Sequence, residues 1–495
     1  MPREFKNYID GKWGDASSGK RFENRNPANW DEVLGTFPDS NASDVDRAVK
    51  SAAAAYDEWR LTPAPKRGDI IKRAGDLLAK SKEDIAREMT REMGKVLLET
   101  RGDVQEGIDT AYYAATEGRR LFGHTAPSEL PDKFNMSIRQ PLGVAGAITP
   151  WNFPMAIPTW KIFPALVCGN TVVFKPAEDT PATATRFVEI LLEAGLPDQA
   201  IQLVNGYGPS AGMPLVEHPD VKLISFTGST QVGKLISTTA SKDLKRVSLE
   251  LGGKNAQIVM FDADLDLALE GVLWGAFGTA GQRCTATSRL ILHEVIHDKF
   301  LAMLIKRAEK LRLGNGLEPT TDVGPVINQK QFDKILSYIK VGKNESAKLE
   351  TGGERYTDGT CKNGFFIRPT IFSQVDPEMR IAKEEIFGPV LSVIKIKSID
   401  EAIRVLNNTK YGLSSSLYTH DVNSAFRAIR DIEAGITYIN GPTIGAEAHM
   451  PFGGVKETGN GHREGGWPVF EFFTEIKTVF VDYSGKLQRA QIDNQ

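Results

Sequence analysis

The amino-acid sequence predicts an α/β fold built on two parallel sheets, and three observations predict it. From about residue 143 onward, short β-branched runs alternate with amphipathic helical stretches, a pattern that requires crossover helices between parallel strands. A second series of the same kind follows after about residue 289. The 495 residues contain no low-complexity linker and no short-period repeat, so roughly three closely packed domains are expected at ~150 residues each.

The first part of the chain, after an extended start containing aromatic residues, reads as helical to about residue 120. Ser43 and Asp46 have the spacing of a capping box, and Val45, Val49, Ala52, Tyr56 and Trp59 then recur on one helical face. A second helix starting near Pro65 aligns Ile70, Ile71, Ala74, Leu77 and Leu78. A third passes through Ile85, Ala86, Met89 and Met93, and a fourth through Val104, Ile108, Ala111 and Ala115. Strands are expected at 143–149, 171–174, 201–204, 223–226 and 256–260, with a helix at 184–192 stopped by Gly195-Leu-Pro197. The second series places strands at 289–292, 390–396, 413–418 and 435–439. Open parallel sheets bind ligands at the carboxyl ends of their strands, so a site is expected there.

Composition narrows the function. Lys plus Arg is 60 and Asp plus Glu is 63, a net charge of −3 that offers no footprint for nucleic acid or an anionic membrane. The longest apolar stretch, 162–174, is too short to span a bilayer and contains Pro, Gly and Asn. The first ten residues lack the apolar core of a secretory signal, so a cytoplasmic protein is expected. The three cysteines are widely spaced, which gives neither a disulfide framework nor paired Cys-x-x-Cys metal ligands. Glycine, at 46 residues, is in excess but not gathered in tracts.

Two motifs mislead. Gly228-Ser-Thr-Gln-Val-Gly-Lys-Leu235 follows a strand like a P-loop, yet Leu235 stands where the hydroxyl that holds Mg²⁺ is needed. The glycine turn still offers backbone N–H groups to a phosphate. His293-Glu-Val-Ile-His297 matches a zinc-protease pattern, but it straddles a strand-to-helix junction, where the two imidazoles would not share a face. No metal is expected.

Three other positions carry chemistry. Cys284 lies in a polar, turn-like stretch beside Arg283, whose charge would lower the thiol pKa. Cys168 reads as a small core residue and Cys361 as exposed in a Gly- and Asp-rich loop. Glu250 interrupts an apolar run closed by Gly252 and Gly253. Either Lys254 pairs with it, or desolvation raises its pKa toward that of a general base. Asn152, held between prolines and aromatic residues after a strand, is either part of an ordinary turn or a rigid amide donor for an oxyanion.

In order along the chain, Pro150-Trp-Asn-Phe-Pro154, Phe174-Lys-Pro-Ala-Glu178, Phe226-Thr-Gly-Ser-Thr230, Leu249-Glu-Leu-Gly-Gly-Lys254, Gly281-Gln-Arg-Cys284, Glu385-Ile-Phe-Gly-Pro389 and Pro451-Phe-Gly-Gly454 resemble the aldehyde dehydrogenase superfamily. The resemblance covers nearly the whole chain. It implies a Rossmann-type cofactor domain (1–122 and 142–252), an α/β catalytic domain (253–452), a return segment (453–475) and a small β oligomerisation arm (123–141 and 476–495). A homodimer or homotetramer is therefore implied.

The same resemblance implies a role for each matching residue. Cys284 adds to the aldehyde, and the Asn152 amide with the Cys284 backbone N–H holds the oxyanion. Hydride passes to the nicotinamide, and Glu250 activates the water that hydrolyses the thioester. Lys161 and Glu475 help relay the proton of Glu250. Lys175 and Glu178 hold the adenosine ribose, Trp151, Gly228 and Ser229 the pyrophosphate region, and Glu385 the nicotinamide ribose with Phe387 nearby. A carboxylate at Glu178 favours NAD, while Lys175 leaves NADP open. Glu250 argues for hydrolysis to a free acid rather than transfer to coenzyme A.

Phe153, Trp160 and Phe452 would line an aldehyde tunnel, with Thr285 beside the nucleophile and 443–449 as the rim. Glu106, Arg283, Gly445 and Ala446 are similar to the antiquitin-like branch, in which such residues address the charged end of aminoadipic semialdehyde. The alternatives are broad specificity for aliphatic or aromatic aldehydes, with Glu106 on a solvated face and Arg283 structural, or a non-enzymatic scaffold.

Overall fold

The structure, a computed structural model, describes residues 2–493. The hairpin Asn7–Ile9 (β1) and Lys12–Gly14 (β2) and an antiparallel pair at 21–38 precede four helices, Ala42–Leu61 (α1), Ala64–Lys80 (α2), Lys82–Met93 (α3) and Leu97–Glu117 (α4). The extended start is thus regular sheet. The cap of α1 lies two residues before the Ser43–Asp46 pattern. Asn41 is its cap, accepting the N–H of Ser43, while Asp44 accepts the N–H of Asn41.

Thr125–Pro127 (β3) and Lys133–Pro141 (β4) then leave the body of the fold. Val144–Ile148 (β5), Ala156–Cys168 (α5), Thr171–Lys175 (β6), Pro181–Glu193 (α6), Ile201–Leu203 (β7), Val221–Thr227 (β8), Thr230–Ala240 (α7) and Arg246–Glu250 (β9) complete the first sheet. Its order is β9-β8-β5-β6-β7-β1-β2, parallel except at the β1–β2 end. Strands alternate across it: Val172 and Phe174 face the layer holding Ile71, Met89 and Phe163, and Val173 faces the layer holding Val45 and Ile236. α5 does not read as a helix in the sequence because Pro158 and Pro164 interrupt its pattern; it survives them because every residue of it is buried. From β5 the chain winds outward through β6 and β7 and then returns to add β8 and β9 on the other side. The topological switch point is therefore the crevice between β5 and β8.

Sheet membership changes between Glu250 and Asn255. Asn255–Val259 (β10), Leu265–Phe277 (α8), Thr287–His293 (β11), Glu294–Ala308 (α9), Gln329–Asn344 (α10), Lys348–Thr351 (β12), Thr370–Ser373 (β13), Val390–Ile396 (β14), Ser414–Tyr418 (β15) and Ile436–Ile439 (β16) form and flank the second sheet, ordered β12-β13-β14-β11-β10-β15-β16. Leu290 and Leu292 pack on one side with Phe300, and Ile291 on the other with Leu406. Finally Thr474–Asp482 (β17) pairs along its whole length with β4, giving a three-stranded arm in the order β17-β4-β3.

One sequence expectation changes here. Cys361 is buried, because the turn at 359–363 folds back onto Ala28 and Phe366. Lys234, the lysine of the P-loop-like run, is ion-paired with Glu457 at 2.8 Å. His293 does end a strand and cap a helix, with His297 inside that helix. Among the described residues no helix is long and apolar enough to cross a membrane, and no group of three or more His, Cys, Asp or Glu side chains could hold a metal.

One buried carboxylate binds two helices. Glu92 of α3 accepts the N–H groups of Ala182 (2.7 Å) and Thr183 (3.0 Å) and the Thr183 hydroxyl (2.7 Å), which satisfies the first turn of α6. Glu92→Ala leaves those donors buried and unpaired and should cost about 2–4 kcal/mol in urea unfolding.

Candidate active site

Cys284 stands three residues before β11, on the turn that leads from α8 into that strand, and it is half-buried. The turn is unusual. Thr279 (φ 54°), Ala280 (φ 52°) and Gly281 (φ 67°) are all left-handed, and such backbone costs of order 1–3 kcal/mol for each non-glycine residue. The carbonyl of Cys284 accepts Asn255 Nδ2 at 2.7 Å, and the backbone N–H groups of Thr285 and Cys284 reach the sulfur. Burial, then the negative charges of Glu250 and Glu385, push the thiol up to about 12. Arg283 does not lower it as the sequence led us to expect. Its guanidinium turns away to Glu99 (3.1 Å) and lies over the rings of Phe153 (5.4 Å) and Trp274 (5.8 Å).

Glu250 ends β9 and is 3 % exposed, and neither of its carboxylate oxygens has a hydrogen-bond partner among the described residues. Burial and the charge of Glu464 hold its carboxyl well above the usual carboxylate range, with Lys161 pulling the other way. Lys254 is not its partner. That lysine points elsewhere, its buried Nζ also unpaired, and burial lowers it to about 7.

Glu475 also departs from expectation. It lies on β17 in the arm, exposed and 3.5 Å from Arg246, because Thr474 and its successors pair with β4 rather than turning inward. The carboxylate beside Lys161 is Glu464, which the sequence reading missed. Glu464 is ion-paired with Lys161 Nζ and 3.3 Å from the Ser225 hydroxyl, itself 3.0 Å from Lys161. Its strand-like bridge to Phe452 (N–H to O 2.7 Å) brings it inward, a pairing with no local sequence signature.

Asn152 follows β5 and is buried, and its side-chain amide has no hydrogen-bond partner among the described residues. Cys284 and Glu250 open onto one cavity of about 700 Å³, together with Glu106, Phe153, Trp160, Arg283, Thr285, Gly445, Ala446 and Phe452. Trp160 packs on Phe452 with ring centroids 4.7 Å apart. Glu106 is not on a solvated face. Its Oε1 is buried and unpaired, and desolvation raises the carboxyl to about 8.

The residues expected at a cofactor gather around the switch point. Trp151 follows β5, Lys175 ends β6 with Glu178 three residues on, and Gly228 and Ser229 follow β8, where Ser229 caps α7. Lys175 and Glu178 are 3.3 Å apart. From the second sheet, Glu385 accepts the N–H of Gly253 (3.0 Å), and Phe387 meets Trp151 edge-on at 5.5 Å. Phe387 is left-handed (φ 62°), and Gln331, unnoticed in the sequence, donates to its carbonyl at 2.7 Å. A helix N-terminus, adjacent parallel strand ends and a carboxylate facing them fit a dinucleotide.

A family-wide sequence profile described as "Aldehyde dehydrogenase family" matches residues 13–479. The chain belongs to the aldehyde dehydrogenase family. It is 44 % identical over 475 residues to alpha-ketoglutaric semialdehyde dehydrogenase of Bacillus subtilis, covering 96 % of this chain and 97 % of that one. It is also 44 % identical over 484 residues to mouse aldehyde dehydrogenase 1A1, covering 97 % and 95 %. The crystal structure of betaine aldehyde dehydrogenase from Staphylococcus aureus in complex with NAD⁺ superposes with a TM-score of 0.95 at 36 % identity, covering 97 % of this chain and 96 % of that one. The α/β architecture is that of the family, and the protein is an aldehyde dehydrogenase.

In this family member the free thiol is high, so its reactive thiolate fraction should grow with pH throughout the neutral range. Alkylation of Cys284 by iodoacetamide in the absence of cofactor should accelerate about tenfold per unit between pH 7 and 9 without a plateau. A plateau near pH 7 would show a thiol already ionised.

Proposed function

We propose that the enzyme oxidises an aldehyde to a carboxylic acid through a Cys284 thiohemiacetal and thioester. What carries this reading is the convergence of Cys284 and Glu250 on one cavity while the Asn152 amide is left unpaired. Because carboxylates face the thiol, its proton must leave to water in the cavity as the sulfur attacks. The freed oxygen anion takes the Asn152 amide and the Cys284 N–H as donors. Glu250 then draws a proton from the hydrolytic water. Lys161 and Glu464, not Glu475, form the buried relay through which Glu250 returns to its ionised state.

NAD is the proposed cofactor, which supplies the hydride acceptor when bound. Lys175, Glu178, Trp151, Gly228 and Ser229 would hold its adenosine and pyrophosphate parts, and Glu385 and Phe387 its nicotinamide end. Lys175 is engaged by Glu178, which disfavours a 2′-phosphate. The first sheet with its helices would then be the cofactor domain and the second the catalytic domain. The arm, which exposes Phe134, Ile138, Ile476 and Phe480, would join copies of the chain into a dimer or tetramer acting in the cytoplasm.

For the substrate, a semialdehyde with a charged or polar far end fits best, since Glu106 is the one unpaired carboxyl on the cavity's helical wall. Largely protonated at neutral pH, it offers both a donor and an acceptor. Arg283 is already committed to Glu99 and is assigned no part in recognising the substrate. A broad aliphatic or aromatic specificity is the second reading, favoured by the Trp160–Phe452 wall.

Cys284→Ala should lower NADH formation at least ~10³-fold. Glu250→Gln should keep a single-turnover burst and slow steady turnover ~10²–10⁴-fold; a fully active Cys284→Ala enzyme would refute the mechanism. Kinetics with aliphatic, aromatic, amino- and carboxy-semialdehydes, each with NAD and NADP, test specificity. Glu106→Leu should raise KM for the preferred semialdehyde about tenfold or more and leave hexanal unchanged. Preference for neutral aromatic aldehydes would remove the role of Glu106.

A further inference from the structure

We infer that Glu99 is a positioning residue for the nucleophile: through Thr279 and Arg283 it holds the left-handed turn that presents Cys284. This rests on the proposal that Cys284 attacks the aldehyde.

α4 carries Glu99, Asp103 and Glu106 at i, i+4 and i+7, the spacing that puts three carboxylates on one face. Only Glu106 is left to the cavity. Glu99 Oε1 accepts the Thr279 N–H at 2.7 Å and Arg283 Nη2 at 3.1 Å, and Arg283 Nε returns to the Thr279 hydroxyl at 2.9 Å. The three residues close a ring at the first of the left-handed positions. Thr279 is β-branched, so its φ of 54° is a conformation that persists only where neighbours over-determine it. Gln282 adds a bond to the Thr279 carbonyl at 3.3 Å but is neutral. The Glu99–Arg283 pair is charged and shielded, with side chains 9 % and 11 % exposed.

The same helix reaches the oxyanion side. Asp103, one turn along, accepts the Ala156 N–H that opens α5 (2.7 Å) and binds Lys95 (2.7 Å), whose ammonium lies 3.8 Å over the ring of Phe153. Arg283 lies over that ring too. Cys284 precedes a strand of the second sheet and Asn152 follows a strand of the first. Adjacent turns of one helix therefore set where both stand.

The test compares full-length wild type, Glu99→Gln, Glu99→Ala and Cys284→Ala. The readouts are kcat and KM with an aliphatic aldehyde, NAD Kd by fluorescence titration, and the rate of Cys284 alkylation by iodoacetamide. Glu99→Gln keeps an acceptor for Thr279 but loses the charge pair and should lower kcat and alkylation about tenfold. Glu99→Ala should lower both about a hundredfold, the scale of a 1 Å misplacement. NAD Kd and aldehyde KM should stay within about twofold in each. Wild-type kcat and alkylation in both variants would overturn the inference, as would a loss of NAD affinity in step with kcat, the mark of general loosening. If Glu99→Ala does not fold, Glu99→Gln decides by the same criteria. An active Cys284→Ala enzyme defeats the reaction mechanism itself, whereas an inactive one beside fully active Glu99 variants defeats only the role of Glu99.

Discussion

The site depends on close approach around the turn that carries Cys284, where there is no room for added side chains. A Cβ at Gly281 would lie 2.2 Å from the carbonyl oxygen of Gly388, and one at Gly252 would lie 2.4 Å from the carboxylate of Glu385. Gly281 also takes a φ of 67°, which an L side chain rarely adopts. These contacts press the nucleophile turn, the loop that carries Phe387 and the end of β9 together. The glycine excess noticed in the composition is therefore partly a packing requirement. A larger residue at Gly281 would push the turn that carries Cys284 away from the backbone of Gly388.

Such closeness puts charges where water cannot reach them, and the structure manages each group differently. Lys161 with Glu464 and Lys95 with Asp103 are buried pairs, each member offsetting the desolvation of the other. Glu250, Glu106 and Lys254 are buried alone, and all three are driven toward neutrality. Paired charges keep the geometry rigid, while unpaired ones are left ready to exchange a proton or meet a ligand.

The parallel strands were legible because each is a short β-branched run closed by a turn, and Cys284, Glu250 and Asn152 stood out because each interrupts its local pattern. The errors concern long-range partners. Arg283 and Lys254 were judged by their neighbours in the chain, whereas Arg283 meets Glu99, 184 residues away, and Lys254 is left unpaired; the carboxylate beside Lys161, assigned to Glu475 by resemblance, is Glu464, 303 residues along. Long charged side chains reach across the fold, and nothing in a local pattern records where they go. Glu475 was displaced by a backbone ladder, since nine consecutive pairings with β4 hold β17 in the arm. Cys361 shows the same limit for an apolar group, with a polar loop returning it to a hydrophobic cluster.

The cavity combines two surfaces with different demands. One wall, Trp160, Phe452 and Phe153, is aromatic and carries no charge of its own. The other is α4, which spends two of its three inward carboxylates, Glu99 and Asp103, on fixing the protein and leaves the third, Glu106, unpaired. A helix that anchors both reacting turns cannot be redesigned freely, because Glu99 and Asp103 constrain its position and register. Glu106, one turn further on, is relieved of that duty. Side chains at Glu106 and at the rim can then change without disturbing the spacing of Cys284 and Asn152.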